Sequence, residues 1–171
     1  GAALQQALLT THQRQHCHLC CSGTAAMELA LRAAGVQAGD EVILSAYDFK
    51  SSFINVLLLG AQPVLVDTLP NLPVVSAQAV AAALTQKTKA VIASHLHGLA
   101  APVQELLQLT RERSIVVIED ACQNPGACLD GGGADWHAGP LRRHHGAVFL
   151  ASLLRPGSQP HHLFPPLHRA Y

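Results

Sequence analysis

The chain of 171 residues carries 11 basic and 11 acidic residues, so its formal net charge is zero, and 49% of its residues are hydrophobic. This composition predicts one core, and therefore one domain or a piece of one. The balanced charge argues against a nucleic-acid partner, and no apolar run is long enough to cross a bilayer. Five cysteines, an odd number, and an N-terminus without an export signal favour a reducing, cytoplasmic setting.

The first pattern with chemical content is a turn near the N-terminus. Residues 18–21 are interpreted as a short strand and residues 25–34 as a helix, with Ser22, Gly23 and Thr24 between them. Free backbone N–H groups and two hydroxyls at the start of a helix attract anions, so the turn predicts a phosphate site. The alternative is that Ser22 or Thr24 only caps the helix.

Strand and helix patterns alternate over the following residues. Strands are predicted over residues 41–46, 63–67, 88–95 and from 115 onward, and helices over residues 4–9, 51–60, 77–84 and 102–113. With connections this short, we expect right-handed crossovers and an α/β fold in which helices cover both faces of a mainly parallel sheet.

The stretch SIVVIEDACQ, residues 114–123, is the centre of the pattern. Its block of β-branched residues has no polar alternation, which is typical of a strand that is buried on both faces of a parallel sheet. Ligands of open α/β sheets bind beyond the carboxyl ends of strands, so Asp120 and Gln123 are candidate ligand-binding residues. The alternative is that Glu119 and Asp120 cap the next helix or face water.

Four motifs in this order carry a family resemblance: SGTAAMELALRAAGVQAGDEVILSAYDF, LLLGAQPVLVD, TQKTKAVIASHLHG and VVIEDACQNPGA. Together they resemble the DegT and StrS family of sugar aminotransferases over about residues 18–130. The resemblance implies the large domain of a fold type I enzyme, a three-layer α/β/α fold that is incomplete here. It also implies pyridoxal 5'-phosphate (PLP) as cofactor.

The resemblance assigns a role to individual residues of the PLP site. Ser22, Gly23 and Thr24 match the phosphate-binding turn, Phe49 the aromatic residue that stacks on the ring, Asp120 the carboxylate at the ring nitrogen, and Gln123 the amide near the ring hydroxyl. A carboxylate at the nitrogen keeps the ring protonated, so that it withdraws electrons from the substrate.

Other residues of these motifs allow more than one interpretation. Phe49 can also be a core aromatic residue. The family more often carries threonine where Asp48 stands. His95 and His97 match a segment near the active site, although a histidine at a strand end is more often structural. Cys122 is interpreted as a small residue beside the cofactor.

In the parent family, the reaction transfers an amino group from an amino-acid donor to a keto sugar nucleotide, on a homodimer. That reaction needs a lysine that forms a Schiff base with the cofactor. The lysines of this chain are Lys50, Lys87 and Lys89, and the region that corresponds to the family's lysine, GAVFLASLLRPGSQP, contains none. We therefore predict that no cofactor is attached covalently and that the chain is inactive as an aminotransferase.

Other residues in this region do not replace the lysine. Arg155 stays protonated and cannot form an imine. Some dehydratases of the family carry a histidine instead, but His144 and His145 come too early and His161 and His162 too late for it. A lysine-less dehydratase and a catalytically inert PLP- or phosphate-binding remnant are the alternatives to an aminotransferase fragment.

The composition changes after residue 130. Residues 131–171 hold six of the 11 histidines and five of the 10 prolines, and no acid follows Asp135. We predict a partial PLP-binding domain over residues 1–130 and a divergent tail over 131–171, either frame-shifted or disordered. The coding DNA tests the frameshift: an alternative frame should restore a family-like sequence with a lysine.

A cysteine cluster near the N-terminus has the spacing of a metal motif. Cys17 and Cys20 form a CxxC pair, with histidines nearby. A structural zinc site takes four ligands, usually from two separated pairs, and no second pair follows. The sequence therefore predicts no metal site here.

Overall fold

A computed structural model of the protein describes residues 2–11, 17–123, 147–148 and 151–154. The helices are α1 (Ala2–Thr11), α2 (Gly23–Ala33), α3 (Lys50–Leu58), α4 (Ala77–Ala83) and α5 (Val103–Thr110), with a 3-10 turn at Leu96–Gly98. The strands are β1 (Glu41–Ser45), β2 (Gln62–Val66), β3 (Thr88–Ser94), β4 (Val116–Asp120), β5 (Ala147–Val148) and β6 (Ala151–Leu154).

These strands form one sheet in the order β2-β1-β3-β4-β6-β5. The first four are parallel to one another, whereas β6 is antiparallel to β4 and β5 is antiparallel to β6. The register places Ser94, the last residue of β3, beside Asp120, the last residue of β4. The mainly parallel sheet that the sequence predicts is confirmed. The carboxyl ends of its four parallel strands lie at the same edge.

Two hydrophobic clusters cover the two faces of this sheet. Successive residues of β4 alternate between them: Ile118 packs with Met27 and Leu31 of α2, whereas Val117 packs with Leu106 of α5 and with Val80 of α4. This alternation follows from the period of two in a β-strand. It explains why the central strands have no polar alternation in sequence, and it confirms the layered α/β/α arrangement.

The prediction of a strand over residues 18–21 is wrong. His18 forms only an isolated bridge, and Cys20 packs against the core beside α2. A strand needs successive ladder pairs, but the chain turns at once into the helix cap at Ser22.

Several other element bounds differ from prediction by a few residues. Helix α5 begins after Pro102 and ends at Thr110, because the exposed residues 111–114 have no apolar surface to bury and form turns. Strand β2 begins one residue before Pro63, and the proline is tolerated because β2 is an edge strand.

The predicted domain boundary near residue 130 lies outside the described residues. Beyond it, the short strands β5 and β6 belong to the same sheet as the rest of the fold. In the described part of the chain, no helix combines the length and apolarity that a membrane crossing requires.

Candidate functional site

A cavity of about 250 Å³ lies at the carboxyl ends of β3 and β4. Four separate segments of the chain line it: Gly23 and Thr24, Phe49 and Ser51, His95 and Leu96, and Asp120, Cys122 and Gln123. The parallel register brings these segments together, because the loops that leave adjacent parallel strands emerge at the same edge.

The start of α2 supplies one wall of the cavity. The first N–H groups of a helix have no intrahelical partner, and the positive end of the helix dipole lies there. Ser22 is the N-cap, and its Oγ accepts a hydrogen bond from the N–H of Ala25 at 3.2 Å. Gly23 and Thr24 line the cavity, whereas Ser22 lies outside the lining with its hydroxyl engaged in capping.

Asn55 supports this wall from behind. Its Nδ2 donates a hydrogen bond to the carbonyl oxygen of Thr24 at 2.9 Å, and the residue is only 1% exposed. Losing a buried hydrogen bond leaves its partner unpaired at a cost, so this bond fixes α3 against the first turn of α2. The sequence analysis missed Asn55; its signal was a lone amide inside an otherwise apolar helical run.

Phe49 and the loop before α3 form a second wall. The side chain of Asp48 holds this loop: Oδ1 accepts from the N–H of Phe49 at 2.6 Å, and Oδ2 accepts from Oγ of Ser94 at 2.8 Å. Burial raises the pKa of Asp48 to about 6, and the charge of Asp120 adds to the rise, while both hydrogen bonds oppose it. Phe49 itself is half exposed, so it is not a core aromatic residue in this chain.

Glu119 and Asp120, adjacent in β4, have different environments. Glu119 is buried and its Oε2 lies 3.1 Å from Nε2 of His95. Nδ1 of that imidazole accepts the N–H of Ala101 at 3.0 Å, so Nε2 carries the proton and donates to the carboxylate. This pair anchors the end of β3 to β4 and gives His95 a structural bond beside the cavity.

Asp120 is the carboxylate that reaches the cavity. One of its oxygens, Oδ1, accepts the N–H of Cys122 at 3.0 Å, which shapes the turn after β4. Desolvation raises the pKa of the Cys122 thiol, and the charge of Asp120 raises it further, so the thiol is neutral near pH 7 and not a poised nucleophile.

Gln123 is oriented by a backbone group. Its Oε1 accepts the N–H of His97 at 2.8 Å, and His97 adopts the left-handed backbone conformation with φ of 56°. Since the oxygen is used in this way, the NH2 end of the amide remains as a donor. His97 is also in contact with Tyr47, whose hydroxyl lies 3.0 Å from its Nε2.

The structure therefore brings five of the six predicted site residues to one cavity and leaves Ser22 at its margin. Ser51, Leu96 and Ser94 were missed by the sequence analysis. Small hydroxyl residues at a helix start and a strand end were the available signal, but such residues also occur there for capping alone.

The cysteines at positions 17, 20 and 21 are not among the residues that line this cavity. Burial raises the pKa of the thiols of Cys17 and Cys20, and Cys20 packs against the core. Among the residues that the structure describes, no group of three or more histidine, cysteine or acidic side chains is placed to hold a metal ion.

The known proteins that are similar to this chain include two aminotransferases. The UDP-N-acetyl-3-dehydro-alpha-D-glucosamine 3-aminotransferase of Acidithiobacillus ferrooxidans is 40% identical over 114 residues, 67% of this chain and 31% of that protein. The L-glutamine:2-deoxy-scyllo-inosose aminotransferase of Streptomyces lividus is 40% identical over 116 residues, 68% of this chain and 27% of that protein. This chain thus spans less than a third of either relative.

Solved structures of other proteins are also similar to this chain. NtdA from Bacillus subtilis, with bound cofactor PMP, superposes with a TM-score of 0.67 and 31% identity over 72% of this chain and 28% of that one. The neighbours confirm the fold type I architecture, and the family implies pyridoxal phosphate as the cofactor. The model of the DegT/DnrJ/EryC1/StrS aminotransferase family matches residues 2–148, beyond the predicted limit near 130, and the chain therefore belongs to that family.

Proposed function

We propose that the cavity at the carboxyl end of the sheet is the phosphate- and ring-binding part of a PLP site. The observation that carries the proposal is the convergence of Gly23, Thr24, Phe49, Asp120 and Gln123 on one cavity. The donor set fits the cofactor chemically. Helix N–H groups and a hydroxyl suit a phosphate, and a carboxylate suits a protonated ring nitrogen.

Each side chain then has a physical task. When bound, the cofactor supplies an electron-withdrawing ring that stabilises negative charge on a substrate carbon. Asp120 keeps the proton on the ring nitrogen, because an adjacent carboxylate favours the charged form. Gln123, whose oxygen is held by His97, presents its NH2 group to the ring hydroxyl. Phe49 covers a face of the ring.

The names of the relatives support a proposal for the reaction of the whole protein. We propose the transfer of an amino group from an amino-acid donor to a keto sugar nucleotide, by a cytoplasmic homodimer. One relative is named for a UDP-linked 3-dehydro sugar, and another for glutamine and an inosose. These names support a polyhydroxylated keto substrate and an amino-acid donor.

The position of the lysines supports a second part of the proposal, that this chain holds PLP without a covalent bond. Lys87 and Lys89 lie at the start of β3, at the edge of the sheet opposite to the cavity. Lys50 opens α3 next to Phe49 and is exposed, and the lining of the cavity in the described part of the chain includes no lysine. On this view the 171-residue chain binds the cofactor but does not transaminate.

A lysine-less dehydratase remains the second candidate, and it rests only on the absence of a lysine from the corresponding region. The histidines at 144, 145, 161 and 162 that it would draw on lie outside the described residues. A keto sugar nucleotide incubated with the chain loaded with the amine form of the cofactor, pyridoxamine 5'-phosphate, tests it, because only an amine can condense with the keto group: loss of water from the sugar would favour the dehydratase over the inert remnant.

Dialysis and reduction test the main proposal. The full chain is loaded with PLP and titrated for binding, and one half is treated with borohydride before dialysis. We expect saturable binding, complete loss of the cofactor on dialysis with or without reduction, and no phosphopyridoxyl-lysine by mass spectrometry. A stoichiometric adduct at Lys50, Lys87 or Lys89 would overturn the non-covalent part, and the absence of saturable binding would overturn the site.

A further inference from the structure

A second carboxylate lies beside Asp120 and does not line the cavity. Asp48 connects two elements of the site: it accepts a hydrogen bond from the N–H of Phe49 at 2.6 Å, and one from Oγ of Ser94 at 2.8 Å. Ser94 is the register partner of Asp120. Asp48 thus ties the aromatic wall of the cavity to the strand next to the one that ends in Asp120.

Asp48 accepts two hydrogen bonds, but no cationic group among the described residues forms an ion pair with it. The titratable groups that act on it or respond to it are Asp120 at the end of β4 and Cys122 in the following turn, while β3 presents the neutral Ser94. Desolvation and the two carboxylates keep the thiol protonated. Within the described residues, neither Asp48 nor Asp120 belongs to an ion pair.

We infer that Asp48 is a positioning residue of the cofactor site, which holds Phe49 in place and adds a second negative charge that attracts the cationic ring. This inference rests on the proposed PLP site and extends it to a residue outside the cavity lining. A cation bound against Asp120 relieves the repulsion between the two carboxylates. Cofactor binding and ionisation of Asp48 therefore favour each other.

The linkage has a definite sign. Burial raises the pKa of Asp48 to about 6, so at pH 5 the carboxyl is mostly neutral and at pH 8 it is charged. Asp48 should therefore increase the affinity for PLP at pH 8 but not at pH 5. The attraction between the Asp48 carboxylate and the cationic ring acts over one or two side-chain lengths. At an effective dielectric constant near 20, it corresponds to about a tenfold change in the affinity for PLP.

Asp48→Asn separates the charge from the position, because the amide oxygen can still accept from Phe49 and the amide NH2 can donate to Ser94. Asp40→Asn is the matched control: Asp40 also accepts a backbone N–H, that of Gln37 at 2.8 Å, but it lies at the opposite edge of the sheet. Dissociation constants for PLP are measured for the three full-length chains between pH 5 and 8. Titration of the cofactor itself cancels in the ratio of variant to wild type.

We expect the ratio for Asp48→Asn to rise from about one at pH 5 to about ten at pH 8, and the ratio for Asp40→Asn to stay near one. A ratio for Asp48→Asn that does not change with pH would overturn the inference while leaving the PLP site intact. If wild type fails to bind PLP at pH 8, the proposed function itself is wrong, and the inference fails with it.

Carbon-13 NMR of the cofactor-free protein supplies a readout that does not depend on binding. Wild type should show an aspartate carboxyl that titrates near pH 6, and Asp48→Asn should lack it. Ser94→Ala, which removes a hydrogen bond to the charged form, should move that titration to higher pH, and it serves as the test if Asp48→Asn does not fold. A Ser94→Ala spectrum in which this titration is unchanged would contradict the role of Ser94.

Discussion

The two ends of the sheet both carry a cavity, but they hold their polar side chains in different ways. At the carboxyl end, hydrogen bonds join residues that are far apart in the chain, such as His95 with Glu119 and Asp48 with Ser94. The cavity at the opposite end, about 430 Å³, is larger. Its polar groups include Thr85, whose N–H donates to the nearby Thr88 and whose hydroxyl donates to Glu41 of β1 in an exposed bond.

This difference supports the carboxyl-end cavity, rather than the opposite one, as the candidate site. A site must fix several groups relative to one another, and bonds between distant segments do this because each is supported by the sheet register. At the opposite end, the side-chain bond between distant residues, Thr85 with Glu41, is exposed, so water competes with it and it fixes its groups less firmly. The larger of these two cavities is therefore not the one that we propose as the cofactor site.

The largest expected effect is on the free energy of unfolding, and it is tested by replacing one glutamate at each end of the sheet. Glu119→Ala leaves the buried N–H of His95 without its acceptor and should lower the free energy of unfolding by about 3 kcal/mol. Glu41→Ala, which removes a bond to Thr85 at the opposite, exposed end, should cost less than about 1 kcal/mol. Urea unfolding followed by circular dichroism at pH 7 measures both. Equal losses would contradict the contrast, and Glu119→Gln, which keeps an acceptor, should recover most of the stability.

Binding should follow the same contrast. If Asp120 holds the ring nitrogen as we propose, Asp120→Asn replaces its charge with a neutral amide that can still accept from Cys122, and we expect PLP affinity to fall by about tenfold to a hundredfold. Arg113→Gln changes a charge at the opposite cavity and should leave the affinity within about twofold of wild type. Equilibrium dialysis at pH 8 measures both constants. Near-wild-type binding by Asp120→Asn would remove Asp120 from the site.

The carboxyl end was also the more predictable of the two from sequence. The apolar run that ends at Asp120 identifies a doubly buried strand, and the position of a ligand edge follows from topology alone. The turn at Gly23 and Thr24 is equally local. Both features depend on residues that are close in the chain, so a single sequence contains the signal.

The pairing of side chains across the sheet could not be predicted in this way. The bond between Asp48 and Ser94 depends on which strands are adjacent and in which register, and the sequence does not specify either. The bond between Asn55 and Thr24 likewise depends on how α3 packs against α2, which the sequence does not specify. The capping role of Ser22 remained one of two alternatives, because capping and anion binding use the same residue types.

The pH dependence of folding gives an intermediate effect. The pKa of Asp48 is about 6 in the folded chain, against an ordinary value of 3.8, so the folded state binds this proton more tightly than the unfolded state. The contribution of Asp48 to stability is therefore greatest below about pH 4 and is lost as the pH rises through about 6. Relative to wild type, Asp48→Asn should gain about 2 kcal/mol across this window, measured by urea unfolding from pH 4 to pH 7. A constant difference between the two proteins would contradict the shift.

The smallest expected effect concerns the orientation of Gln123. Gln123→Glu keeps an oxygen acceptor for the N–H of His97 but removes the NH2 donor, whereas Gln123→Ala removes both. If the donor reaches the ring hydroxyl, both variants should weaken PLP binding about fivefold, the worth of roughly one hydrogen bond. Gln86→Ala, at the opposite cavity, should have no effect. Wild-type affinity in Gln123→Glu with a loss in Gln123→Ala would instead make Gln123 a support for the left-handed turn at His97 and nothing more.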